Sequence, residues 1–227
     1  MKKHVYAIIA VLSFAGPFAM SFDRKVHYIS YLPPLLIATL AVGALYIAWD
    51  VMVTSRGHWQ FNDEFVGSTR LFHLPVGEWL FFLLIPYPSV FIYEVILAYF
   101  GTSPARPELA WIQFVLAAGF IIPAYIWRKQ GYTLLAMLSA SLYFLVSGFL
   151  TPGVIAASGY LWSMLLIFLA FVVVNGIYTA LPTIRYNPKA IFGVKFIQIP
   201  VEDFFYNLSY IGLILTLYIP LKEVMGL

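Results

Sequence analysis

Seven stretches of about 20 apolar residues, roughly 5–22, 29–49, 75–100, 109–127, 133–151, 155–180 and 199–221, leave this chain few ways to fold. Each is long enough to cross a bilayer as a helix. Only 10% of the residues are charged and 62% are hydrophobic, where a soluble domain carries about a quarter of its residues charged. The fold class expected is therefore an all-α integral membrane protein with about seven transmembrane helices. The first stretch has the basic start and apolar run of a signal peptide. It is read as the first transmembrane helix, because a second span follows at once and no clear cleavage site stands out. Pro86 and Pro88 predict a kink in the third helix.

The charges between the spans orient the chain. With the N-terminus in the cytoplasm, one side holds Lys2, Lys3, Arg56, Arg70, Arg128, Lys129, Arg185, Lys189 and Lys195, and the other only Arg24, Lys25, Arg106 and Lys222. Basic residues concentrate on the cytoplasmic side of membrane proteins, so the expectation is a multi-pass protein of the cytoplasmic membrane, N-terminus inside and C-terminus outside.

Two nine-residue stretches repeat each other: 74-LPVGEWLFF-82 and 199-IPVEDFFYN-207. Both open a helix that enters the membrane from the cytoplasmic side. Upstream of each, 56-RGHWQFNDEFVG-67 and 185-RYNPKAIFG-193 run from Arg through Asn to Gly. Helices 1–3 and 5–7 therefore read as parallel repeats joined by helix 4, dividing the chain into 1–105, 106–130 and 131–227. An axis along the membrane normal would bring the two motifs face to face.

Pro75 and Pro200 suit the first turn of a helix, where a missing N–H costs nothing. The acids behind them, Glu78, Glu202 and Asp203, lie near the positive end of the helix dipole, which alone would explain them. Their surroundings suggest more. Phe81 and Phe82 follow Glu78 by three and four residues, and Phe205 and Tyr206 stand in the same relation to Glu202, so each acid shares a helix face with aromatic rings. Phe204 adds to that group, and Asn207, four residues after Asp203, could hydrogen-bond its carboxyl. Glu94 sits deeper in helix 3, where an ionisable side chain is functional or paired by default. An acid in a dry aromatic pocket can act as a proton donor, and aromatic faces attract a cation without attacking it. Asp50, at the end of helix 2, reads as a partner for Arg56, and Asn175 occupies the corresponding place on helix 6. His58 and His73 lack a metal-ligand spacing.

Other chemistries lack their residues. The chain has no cysteine, no G-x-G pair and no Gly-Lys-Ser/Thr run, so disulfides, thiolate sites, dinucleotide folds and P-loops are excluded. All seven lysines fall in termini or loops on this topology, so none is placed for a retinal Schiff base. No aspartate-rich motif is present to hold a magnesium diphosphate.

The motifs 74-LPVGEWLFFLLIPYPSVFIYE-94, 175-NGIYTALPTIRYN-187 and 199-IPVEDFFYN-207 resemble the membrane-integral, flavin-independent lycopene cyclases of bacteria and fungi, here in the form with both domains fused. The resemblance implies a lycopene β-cyclase. A carboxylic acid protonates the terminal double bond of a linear carotenoid, the tertiary cation closes a six-membered ring, and proton loss leaves a β-ionone end. It implies Glu78, Glu202 and Asp203 as catalytic residues, with Phe81, Phe82, Glu94, Phe204, Phe205, Tyr206, Asn207 and Asn175 contacting substrate or cation. No cofactor or metal is expected. The expected partners are lycopene and other linear carotenoids and membrane lipid, with a homo-oligomer compatible with the sequence and no nucleic acid. The family pattern is Pro-x-Glu-Glu, and Gly77 stands at the first acidic position. Either that site has lost an acid or its partner, or Glu78 is the one that matters. The alternatives are a seven-helix proton or ion transporter and a carotenoid binder without activity.

Overall fold

The computed structural model describes residues 2–227. Among them seven helices are long and apolar enough to cross a membrane: Lys2–Met20, Tyr28–Ser55, Val76–Phe100, Pro107–Ile126, Gly131–Leu150, Ser158–Ala180 and Val201–Val224. Their regular α segments are α1 (Val5–Met20), α2 (Leu32–Ser55), α4 (Val76–Leu84) with α5 (Pro86–Phe100), α6 (Ala110–Ile126), α7 (Gly131–Leu150), α8 (Ser158–Ala180) and α9 (Val201–Val224). A single-turn helix, α3 (Asp63–Val66), lies in the loop after α2. The third span breaks at Ile85, where Pro86 and Pro88 remove two backbone donors. The first span belongs to the bundle: α1 packs on α4 and α5, burying Tyr6 and Ala10.

Two expected boundaries move, and both matter. Helix α2 continues past residue 49 to Ser55, so Asp50 points from mid-helix into the bundle. It makes no ion pair with Arg56; the described ion pairs are Arg70–Asp63 and Lys222–Glu94. Helix α9 continues to Val224, so Lys222 lies on a helix and not in a terminal loop.

Short strands join the two long loops at one end of the bundle, the loop end. Strand β1 (Trp59–Phe61) pairs antiparallel with β4 (Ile184–Tyr186), Gln60 opposite Arg185. The hairpin β2 (Arg70–Leu71) with β3 (Leu74–Pro75) leads into α4, and β5 (Lys195–Phe196) with β6 (Ile199–Pro200) leads into α9. Every one of these strands stands 125 residues from its counterpart. Phe72 and Ile197 turn the two hairpins at φ 50° and 58°. Leu74 and Ile199, both without exposed surface, anchor the hairpins in the interior.

The helices obey the same correspondence. Helix α1 packs on α4 as α7 packs on α9, and α2 packs on α9 as α8 packs on α5. The third and seventh spans are thus central and the others flank them. Helix α6 has no counterpart and lies against α7.

Gly77 sits where α1 meets α4. A Cβ there would lie 2.7 Å from Tyr6 Cδ1 and 3.2 Å from the backbone nitrogen of Ala7. The side chain is missing because two helices occupy its space. Gly77→Glu, which restores the family's acid, is therefore expected to destabilise the protein by about 1–3 kcal/mol through overpacking. A melting temperature at or above that of the parent, measured in detergent or nanodiscs, would contradict this.

Candidate active site

The two hairpins set Glu78 and Asp203 on the first turns of α4 and α9, at the inner surface of the loop end. Both line one cavity of about 60 Å³, which Asp50 of α2 also reaches. All three carboxyls are at most 6% exposed. Its walls include Tyr6, Phe81, Phe171, Tyr206 and Tyr210. No lysine or arginine lines it among the described residues.

The three acids are held differently. Asp203 Oδ1 accepts from the Tyr132 hydroxyl at 2.7 Å. Its Oδ2 accepts from Asn175 Nδ2 at 2.9 Å and from the Tyr186 hydroxyl at 2.7 Å. Tyr186 lies outside the spans, and burial followed by the neighbouring Asp203 pushes its phenol well above the ordinary tyrosine range, so it stays a donor. Glu78 has Tyr6 beside it, as Asp203 has Tyr132, so α1 and α7 correspond at 126 residues where the strands and the other helices correspond at 125. The other two donors have no equivalent: the positions matching Asn175 and Tyr186 are Asp50 and Phe61. Glu78 Oε2 and Asp50 Oδ2 are buried with no hydrogen-bond partner among the described residues. The second half of the molecule thus offers its acid three donors, and the first half offers its acid one tyrosine and a second carboxyl.

Glu202 does not line this cavity. One residue along the helix turns its side chain by about 100°. There Oε1 accepts from the Thr133 hydroxyl and from the Phe192 backbone N–H, each at 2.5 Å. It ties the start of α9 to α7 and to the loop before β5. Gly77, its counterpart, packs directly on Ala7, the counterpart of Thr133.

The remaining expected residues separate into groups. Phe81, Tyr206, Asn207 and Asn175 line the cavity. Asn207 Nδ2 is buried without a partner and does not bond to Asp203, contrary to the spacing argument, because Asp203 is already held from other elements. Phe82 is buried against Phe81 and Tyr210, outside the cavity lining. Phe205 stacks edge-on against Phe120, and Phe204 packs near Phe168 and Phe196. Glu94 lies at the far end, bonded to Lys222 Nζ at 2.7 Å and to the Tyr218 hydroxyl at 2.8 Å. It joins α5 to α9 there. His58 packs against Gly131, and His73 occupies a turn at φ 70°.

Sequence reasoning passed over Asp50, Tyr6, Tyr132 and Tyr186 as site residues. The signal was the 125-residue repeat itself: Asp50 aligns with Asn175, so both belong beside a motif carboxyl.

The arrangement can deliver and receive protons in an enclosed aromatic space. A family model described as Lycopene cyclase matches residues 3–96 and 129–220, most of both halves, and leaves out residues 97–128 around α6. No curated protein and no solved structure matches the chain. With both motif acids inside the matched segments, this chain belongs to the lycopene cyclase family, whose members act in carotenoid cyclisation within membranes.

Proposed function

We propose that the protein is a lycopene β-cyclase, carrying out a redox-neutral isomerisation in which Glu78 delivers the proton and Asp203 removes one. The observation that carries this is the unequal holding of two equivalent carboxyls in one cavity. A buried carboxyl that faces another carboxyl and has one donor where its counterpart has three is most cheaply held as the neutral acid, and a proton shared between Glu78 and Asp50 meets that need. A carboxyl that accepts from three donors is held as the anion.

The steps balance without a co-reactant. The Glu78 O–H protonates the terminal double bond of the linear end group, leaving Glu78 a carboxylate and a tertiary cation on the substrate. The next double bond in reach supplies its electron pair, closing a six-membered ring and moving the cation onto it. Asp203 takes a ring proton, and the electrons of that C–H bond form the ring double bond. Asp203 then holds a proton taken from the ring, the one from Glu78 stays on the product carbon, and the lining acids pass a proton back to Glu78 through Asp50. Substrate and product are isomers, so no flavin or nicotinamide is consumed. The rings of Phe81, Phe171, Tyr206 and Tyr210 face the cation, and an aromatic face stabilises a cation by about 0.5–2 kcal/mol.

On this reading the chain comprises a first cyclase repeat, 1–105, a connecting segment, 106–130, and a second repeat, 131–227. The loop end faces the cytoplasm. The equivalent strands and helices support the division, and the distribution of basic residues supports the orientation.

The deciding experiment is expression in cells that accumulate lycopene, followed by pigment analysis. Conversion to products with β-ionone rings is expected; unchanged lycopene with the protein shown to be inserted would refute the reading. Glu78→Gln, Asp50→Asn and Asp203→Asn are each expected to lower the cyclisation rate by about 10²–10⁴-fold, the usual contribution of a positioned acid or base. Glu202→Gln keeps the Oε1 acceptor and is expected to lose less than about tenfold, equivalent to 1.4 kcal/mol of barrier. A larger loss in a Glu202→Gln protein of normal stability would place that residue in the chemistry.

A further inference from the structure

The acid cavity, of about 60 Å³, is too small to hold a whole carotenoid. It adjoins a second cavity of about 300 Å³ among α1, α5 and α8, and the two share the lining residues Phe81, Phe171, Asn175 and Asn207. Beyond that junction the lining is almost wholly apolar, with Ile85, Ile92, Ile167 and Val174 prominent. Helices α1 and α8 meet at the loop end, where Tyr6 and Tyr178 stack at 4.2 Å and the Tyr178 hydroxyl donates to the Tyr6 carbonyl. Away from that contact each packs on α5, and the groove lies between them. Ala170 on its rim is exposed.

Among the described residues the matching place in the other half, between α2 and α7 against α9, is filled. The residues found there are larger. Trp49 replaces Val174, Tyr46 replaces Phe171, Tyr210 replaces Ile85 and Tyr143 replaces Pro17. Tyr46, Trp49, Tyr206 and Tyr210 fill the space as one cluster with ring centroids 4.8–5.2 Å apart from Tyr46 or Trp49 to their neighbours. The Tyr46 hydroxyl is locked to Ser209 Oγ at 2.6 Å. A larger cleft of about 710 Å³ between α2 and α4 shares no lining residue with the acid cavity.

We propose that the α1–α5–α8 groove is the single lateral portal of the site, holding the polyene chain of a linear carotenoid that enters from the lipid with one end group advanced past Phe81 and Phe171 to the carboxyls. This rests on the cyclase reading above. The occupant is set by the chemistry of the groove: an apolar channel open toward lipid, ending on acids and aromatic faces, fits a long hydrocarbon whose reacting part is its tip. With the matching groove plugged, one molecule presents one end per visit. A substrate cyclised at both ends must leave, reverse and re-enter.

The test separates binding from chemistry. Protein carrying Glu78→Gln is purified from lycopene-accumulating cells in nanodiscs, and retained pigment is measured by its polyene absorbance. Adding Val174→Trp, which copies the plug of the other half, is expected to reduce retained lycopene by about tenfold or more. Adding Ala170→Trp at the exposed rim is expected to do the same with an unchanged melting temperature, and it decides the matter if Val174→Trp fails to insert. Pigment retention unchanged in a folded Ala170→Trp protein overturns the portal. Loss of pigment in these variants, with an unmutated protein that binds lycopene and does not convert it, would keep the portal and refute the cyclase reading. With the unmutated protein and excess lycopene, the monocyclic product is expected free in the membrane before any bicyclic one. Bicyclic product from the first turnovers, with no free monocyclic species, overturns the single portal.

Discussion

Asp203 accepts hydrogen bonds from three side chains brought by three separate elements: Tyr132 from α7, Asn175 from α8 and Tyr186 from β4. A bare carboxylate at this depth would cost several kcal/mol. The three donors offset that cost, and they fix the geometry of the loop end in doing so. Tyr186 reaches Asp203 only because β4 lies across the mouth of the bundle, held there by β1 from the other half. The donor set that holds Asp203 is therefore also what couples the two halves around a common cavity.

The repeat supplies one frame twice, and function follows from where the copies diverge. In the first half Asp50 stands for Asn175 and Phe61 for Tyr186. Each exchange removes a donor, and the first also adds a carboxyl. On the proposed reading, the backbone frame that stabilises an anion beside α9 thus stabilises a shared proton beside α4, and acid and base arise from one motif by changing its neighbours and not the motif. The same divergence acts further along the helices, where Val174, Ile85 and Pro17 leave open a groove that Trp49, Tyr210 and Tyr143 close. On the proposed reading, one half serves entry and proton delivery and the other forms a closed wall and removes a proton.

Hydropathy made the seven spans legible, because a 20-residue apolar run has few other uses, and the paired prolines marked the start of α4 and α9. What hydropathy could not show is which way a side chain points. Glu202 and Asp203 are neighbours in sequence and were grouped on that ground, yet the helix directs one to Thr133 and Phe192 and the other to the cavity. Phe82 and Phe205, grouped with the acids by spacing, likewise lie outside the lining of the acid cavity. Asp50 reads in the sequence as a helix-end partner for Arg56 because the apolar run ends there. The helix does not end there: Val51, Met52 and Val53 carry α2 onward to Ser55, and a polar residue inside a helix is a residue facing the interior. The donors to Asp203 come from 17 to 71 residues away, a separation at which no local pattern speaks.

The departure at Gly77 takes a different meaning from these contacts. At the equivalent position Glu202 is bonded to Thr133, whereas Gly77 meets Ala7, the residue in the place of Thr133. Acid with threonine and glycine with alanine are two solutions to one helix contact. The first spans the gap with a hydrogen bond, and the second closes it by direct packing. Exchanging one member alone leaves either a buried acid without its donor or a side chain without space. The pair changes together or at a cost, and Glu78, one residue on, is directed by the same helix into the cavity whichever solution the chain adopts. The missing acid therefore belongs to how α1 seats on α4, and the proposed proton chemistry of the first half needs only Glu78 and Asp50.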